Sequence, residues 1–181
     1  MKTASLAAVC VLFAGTPVLA GAFTPLLPLG STALDFDTQD GAYSFWRVAT
    51  LDSINAIRTT FQAHRLGQDP RWAPAFTIAL VSGSNRIDFR IASDTRRAPL
   101  TMRITRFEGG KPGEDQAFET TIGLDEKLDL AVDWTPAGDV TVTAGQEAHS
   151  IALGAAVTSV EFYGSTGEAE FDPLRLGHFA P

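Results

Sequence analysis

From Phe76 onward apolar and polar side chains alternate with a period of two, as strands with one buried face do. Phe76, Ile78 and Leu80 alternate up to Ser82-Gly83-Ser84-Asn85. Ile87, Phe89 and Ile91 alternate with Arg86, Asp88 and Arg90, and Leu100, Met102 and Ile104 with Thr101, Arg103 and Thr105. Leu128, Leu130, Val132 and Trp134 form another such strand, turned by Pro136-Ala137-Gly138-Asp139 into Val140-Thr141-Val142, a hairpin pattern. Further strands are predicted at 118–122, 151–153, 157–163 and 168–176, with Gly164-Ser165-Thr166-Gly167 as a turn. Residues 108–115, carrying Gly109, Gly110, Gly113 and Pro112, read as a solvent loop.

The first half is less regular. After an extended arm at 21–33, Leu34-Asp35-Phe36-Asp37 alternates and stops at the turn dipeptide Asp40-Gly41. Between Tyr43 and Leu66 two periods compete. Leu51, Ile54, Ile57 and Phe61 suit a helix closed by Gly67, whereas Ile57, Thr59, Phe61 and Ala63 alternate with polar neighbours; β-branched density favours a strand in the second half. Short strands separated by Gly, Pro, Asn and Asp turns, without intervening helices, predict an all-β protein. The expected architecture is an antiparallel two-sheet jelly-roll β-sandwich forming one domain over 34–181.

Residues 1–20 change the cellular picture. Lys2, the apolar run from Leu6 to Gly15 and the small-residue ending Leu19-Ala20 form a secretory signal. The run is too short to span hydrocarbon, so no transmembrane anchor is expected. Export to the periplasm or the extracellular space is predicted. Cys10, the sole cysteine, leaves with the signal, so the mature domain rests on its core rather than on disulfides. Removing the signal leaves 13 basic against 21 acidic side chains, a net of −8, which excludes general nucleic-acid binding. Charge is unevenly spread: six arginines between Arg86 and Arg106 face Asp88 and Asp94, whereas residues 108–139 are strongly acidic.

Candidate chemistry begins with that arginine strip. Arg86 and Arg90 on one predicted strand lie beside Arg103 on the next, all pointing away from the apolar face. Guanidinium forks recognise carboxylates and sulfates, so the strip predicts an acidic polysaccharide ligand. The same arginines also suit pairing with Asp88 and with acids on neighbouring strands, and both readings stand. Trp72, in the loop signal Asp69-Pro70-Arg71-Trp72-Ala73-Pro74, is the candidate stacking platform; Trp134 belongs to the core and Trp46 is open between the two. His64, His149 and His178 show no zinc spacing, and no G-x-S-x-G nucleophile motif occurs.

The segment Leu128-Asp129-Leu130-Ala131-Val132-Asp133-Trp134-Thr135-Pro136-Ala137-Gly138-Asp139-Val140-Thr141-Val142 resembles the strand, Trp, turn-Gly, strand hairpin of concanavalin A-like lectin and glucanase domains. Val160-Glu161-Phe162-Tyr163-Gly164 and Ala169-Glu170-Phe171-Asp172-Pro173-Leu174-Arg175-Leu176-Gly177 resemble their closing strands. The resemblance implies carbohydrate binding. It also implies a structural calcium between first and last strands, for which Asp35, Asp37, Asp40 and Asp172 are the matching oxygen donors. Glu168, Glu170 and Asp172 approach the acid run of the glucanase branch, but their spacing departs from it, so no catalytic residue is assigned. The expectation is an exported, non-catalytic, carbohydrate-binding domain. Its rivals are a glycoside hydrolase or lyase of the same fold and a structural protein of the cell envelope.

Overall fold

The computed structural model describes residues 22–25, 32–49 and 54–180, so the predicted signal at 1–20 lies outside the described residues. Among the described residues eleven strands follow one another: β1 (Ala22–Pro25), β2 (Thr32–Ala49), β3 (Ala56–Leu66), β4 (Ala75–Ser82), β5 (Asn85–Ala92), β6 (Leu100–Glu108), β7 (Lys111–Ile122), β8 (Lys127–Trp134), β9 (Asp139–Ala144), β10 (Glu147–Ala152) and β11 (Ser159–Ala180). Among the described residues no helix is long and apolar enough to cross a membrane.

Every pairing is antiparallel, and the hydrogen bonds run through one continuous sheet in the order β10-β9-β8-β3-β11-β4-β5-β6-β7. That sheet folds into two layers at β11. Residues 159–165 pair with β4, residues 167–177 with β3, and β2 follows β11 on its other side across both halves. One layer is therefore β7-β6-β5-β4 with the first half of β11, and the other β10-β9-β8-β3 with its second half. The corner has local causes. Thr166 takes a positive φ of 52° beside a register shift between Ser165 and Gly167, where residues 39–42 of β2 bulge out of the pairing. Gly41, at φ 77°, occupies that bulge in a backbone region other residues rarely reach. A Cβ on Gly164 would stand 2.6 Å from Cδ1 of Phe36, so the corner closes down onto that ring.

Apolar positions of both layers meet in one core. Phe61 of β3 and Phe76 of β4 face each other across it with centroids 5.5 Å apart, and Phe171 packs on Phe36, Phe61 and Phe162 at 6.1, 5.2 and 5.5 Å. Trp134 is buried, as its parity predicts. Trp46 is half-buried against Phe162, at 5.4 Å.

Far from the corner, the outer strands β7 and β10 are stitched by side chains. Glu147 accepts the backbone N–H groups of Glu119 and Thr120 at 3.0 and 2.9 Å and the Thr120 hydroxyl at 2.8 Å, and lies 2.8 Å from His149 Nε2. The bond to His149 and those from the backbone hold its carboxyl down at about 2. Because the folded-state value lies below the unfolded one, the clamp stabilises the domain above pH ~4.5 and its contribution is lost as pH falls through ~2. A Glu147→Gln variant is expected to melt below the unmodified chain at neutral pH, with the gap in Tm closing between pH ~4.5 and ~2. A gap constant across that range would mean the carboxylate charge is not what closes the layers.

Three expectations are corrected. The first strand does not stop at Asp40-Gly41: β2 runs on to Ala49, with Gly41 inside the bulge. Residues 108–115 are not a loop: Glu108 pairs with Lys111 about Gly109-Gly110, both glycines at positive φ, and β7 runs on as an edge strand. Its first residues, 111–115, are exposed on both faces, so they carry no apolar alternation to read. Gly164-Ser165-Thr166-Gly167 is a bend inside β11 rather than a turn between two strands. The strand expected in the second half of 43–66 is borne out: β3 alternates buried and part-buried positions throughout most of its length, and the start of the competing helix, near Thr50, lies outside the described residues. The arm at 21–33 contributes β1, paired with the last residues of β11.

Candidate functional site

The strand registers place the outward side chains of the β4–β7 layer on a grid. One row runs Arg47, Glu161, Ala79, Asp88, Thr105 and Asp115 across β2, β11, β4, β5, β6 and β7. The row on one side holds Phe45, Tyr163, Thr77, Arg90 and Arg103, and the row on the other holds Ser159, Val81, Arg86 and Phe107. Ala79 is short and fully buried on this face, because longer neighbours arch over it.

Those neighbours are stratified by charge. The carboxylates lie low, with side chains only 3% exposed for Glu161 and 12% for Asp88, and the guanidinium groups of Arg47 and Arg86 cap them. Glu161 takes Arg47 on one oxygen and the Tyr163 hydroxyl on the other. Arg86 forks onto both oxygens of Asp88 and reaches the Tyr163 oxygen at 3.4 Å. Its guanidinium carbon lies 5.2 Å from the Tyr163 ring centre and 5.6 Å from that of Phe107, held between two aromatic faces. Phe45 extends the aromatic rim, 5.1 Å from Tyr163. Arg47, Arg86, Phe107, Glu161, Tyr163 and Asn85 border a hollow of about 510 Å³.

Protonation follows from this packing. The hydrogen-bonded Asp88 holds Arg86 above its ordinary value. Burial pushes the Asp88 carboxyl up, and the paired guanidinium opposes that rise. Burial, with the hydrogen bond it gives to Glu161, raises the Tyr163 phenol to about 12. Each acid is engaged by a donor, and the phenol keeps its proton.

Of the residues singled out in the sequence, Arg86, Arg90 and Arg103 do share this face, with Arg90 directly opposite Arg103. They are not an open strip. Arg86 is bound to Asp88, and Arg103 donates to Asp115 at 2.7 Å. Arg90 is exposed. Trp72 is 43% exposed, in the loop leading into β4, where Asp69 accepts its backbone N–H at 3.1 Å. The hollow adjoins the other end of β4, about 20 Å along the strand, so Trp72 does not join Arg86.

The four aspartates do not form one donor set, although Asp35 and Asp37 border one hollow with His64, Glu168 and Glu170 and Asp37 and Asp40 share Arg65. Asp35 faces Glu170 across β2 and β11, Asp37 and Asp40 take Arg65 at 3.5 and 3.4 Å, Asp40 also accepts the Gln68 N–H at 3.1 Å, and Asp172 is exposed. Among the described residues no three metal-ligating side chains converge on a point. Sequence reasoning missed Arg47, Glu161, Tyr163 and Phe107. The one available signal was Glu161 itself, an acid inside the apolar run Val160-Glu161-Phe162-Tyr163.

No family model matches the sequence, and no curated protein matches it. Among solved structures, galectin LEC-6 of Caenorhabditis elegans is similar, with TM-score 0.55 and 11% identity over 80% of this chain and 96% of that one. The carbohydrate-binding module CBM66 from Bacillus subtilis is similar with TM-score 0.52 and 11% identity over 86% of this chain and 95% of that one. The likeness is one of fold, and the expected antiparallel jelly-roll β-sandwich is borne out.

Proposed function

We propose that this chain is an exported, non-catalytic carbohydrate-binding domain of concanavalin A-like type, with its sugar site on the outward face of the β4–β7 layer. The observation that carries this reading is the Arg86 guanidinium set between Phe107 and Tyr163 at the hollow, with Glu161 and Asp88 beneath it. Fixed donors beside aromatic rings match a sugar, which offers hydroxyl oxygens at its rim and apolar C–H faces above and below. The fold shared with a galectin and with a carbohydrate-binding module supports the same reading. Turnover is disfavoured: a glycosidase needs an acid free to give or take a proton, whereas both buried carboxylates here are engaged, and the Tyr163 phenol, raised to about 12, keeps its proton and so is not present as a base.

On this face Arg47, Arg86, Arg90 and Arg103 stand against Glu161, Asp88 and Asp115, so the excess positive charge is one and falls at Arg90. Preference for an acidic polysaccharide therefore rests on Arg90. A glycan array probed with the purified chain at low and at physiological salt tests both levels. Selective binding is expected, and any preference for acidic glycans should fade with salt and be lost in Arg90→Gln. Absence of binding to every glycan overturns the reading.

A further inference from the structure

The opposite layer also carries a hollow. On the outward face of β11, β3, β8 and β9 the registers set Arg175 against Arg58, Arg58 against Ala131, and Ala131 against Thr143. Small side chains at Ala131 and Gly145 leave a depression of about 410 Å³, bordered by Arg58, Arg175, Thr60, Asp129 and Thr143. Like charges directly opposed across an antiparallel pair repel, and this pair is unevenly compensated. Arg58 lies 2.8 Å from Asp133, donates at 2.8 Å to the carbonyl of Ile57 and stacks 5.4 Å from the centre of the Phe179 ring. Arg175 is exposed on the rim and has no carboxylate at ion-pair distance among the described residues. Across the hollow, Asp129 accepts the Thr60 hydroxyl at 2.8 Å.

A guanidinium without a counter-ion beside a second guanidinium calls for an oxyanion, and its fork fits a planar carboxylate on two oxygens. Asp129 limits the choice: its negative charge repels a doubly charged group while offering an acceptor to hydroxyls. The volume exceeds that of an isolated ion and lies in the range of small-ligand sites. We propose that this hollow is a second binding site, selective for a uronic acid residue, with Arg175 and Arg58 holding the carboxylate and Asp129 and Thr143 meeting the ring hydroxyls. It stands independently of the site on the opposite face; a domain with both would join two glycan segments.

Titration of the purified chain with methyl glucuronide, methyl glucoside and sodium sulfate, followed by calorimetry and by amide chemical shifts, tests the proposal. The glucuronide is expected to bind with shifts at Ala131 and Thr143, and the glucoside and sulfate about tenfold or more weakly. Arg175→Gln should weaken the glucuronide by about tenfold or more, the scale of a lost hydrogen bond to a charged group. Ala131→Leu, which fills the hollow without changing charge, should do the same. Arg71→Gln, an equal charge change on an exposed loop, should leave it unaltered. Glucuronide affinity unchanged in Arg175→Gln or in Ala131→Leu overturns the proposal, as does sulfate or glucoside binding as tightly. Shifts confined to Tyr163 and Arg86 overturn it while leaving the site on the other face intact.

Discussion

Phe171→Ala is expected to cost about 3–5 kcal/mol, the range for truncating a buried phenylalanine. Its ring is fully buried and touches Phe36, Phe61 and Phe162, which come from β2, β3 and the first half of β11 itself. β11 belongs to both layers, so the cavity opens at the joint between them and no single strand can shift to fill it. Against a total stability of about 5–15 kcal/mol, such a loss leaves little in reserve. Urea unfolding monitored by tryptophan fluorescence measures it, with Phe45→Ala on the exposed rim as a comparison expected to fall below ~1 kcal/mol. A loss under ~1.5 kcal/mol for Phe171→Ala would mean that the layers do not depend on this cluster.

Removing the Arg86 guanidinium is expected to act on binding and on stability together. In Arg86→Ala the Asp88 carboxylate remains low on the sheet without its forked partner. An unpaired buried charge costs about 3–5 kcal/mol, reduced here to roughly 2 because Arg86 is 38% exposed and partly screened. Glycan affinity should fall by about tenfold or more, since the cation between the two rings goes with it. The two effects separate in the double variant Arg86→Met/Asp88→Leu. Replacing both partners by apolar side chains should restore most of the stability while leaving binding lost. Recovery of binding in the double variant would show that the pair serves only the fold.

The parts of the architecture readable beforehand rest on local parity. Ile87, Phe89 and Ile91 turn inward and Arg86, Asp88 and Arg90 outward because a pleated strand alternates its side chains; the short Ser82-to-Asn85 turn then fixes the β4–β5 register. The same logic placed Arg103 beside Arg90 and buried Trp134. It failed at residues 108–115, where the start of an edge strand has no buried face, and at Gly164-Ser165-Thr166-Gly167, where glycines that usually end a strand instead bend one.

Alternation along the chain was thus sufficient for an all-β sandwich and for which face each side chain takes, since burial of every second residue depends only on neighbours in sequence. The pairings that make the sites are of another kind. Arg47 meets Glu161 and Arg58 meets Arg175 across more than a hundred residues, and both depend on β11 turning the corner between the layers. No local period encodes such a meeting: it arises when the apolar faces of distant strands close on one core and carry their outward charges into register.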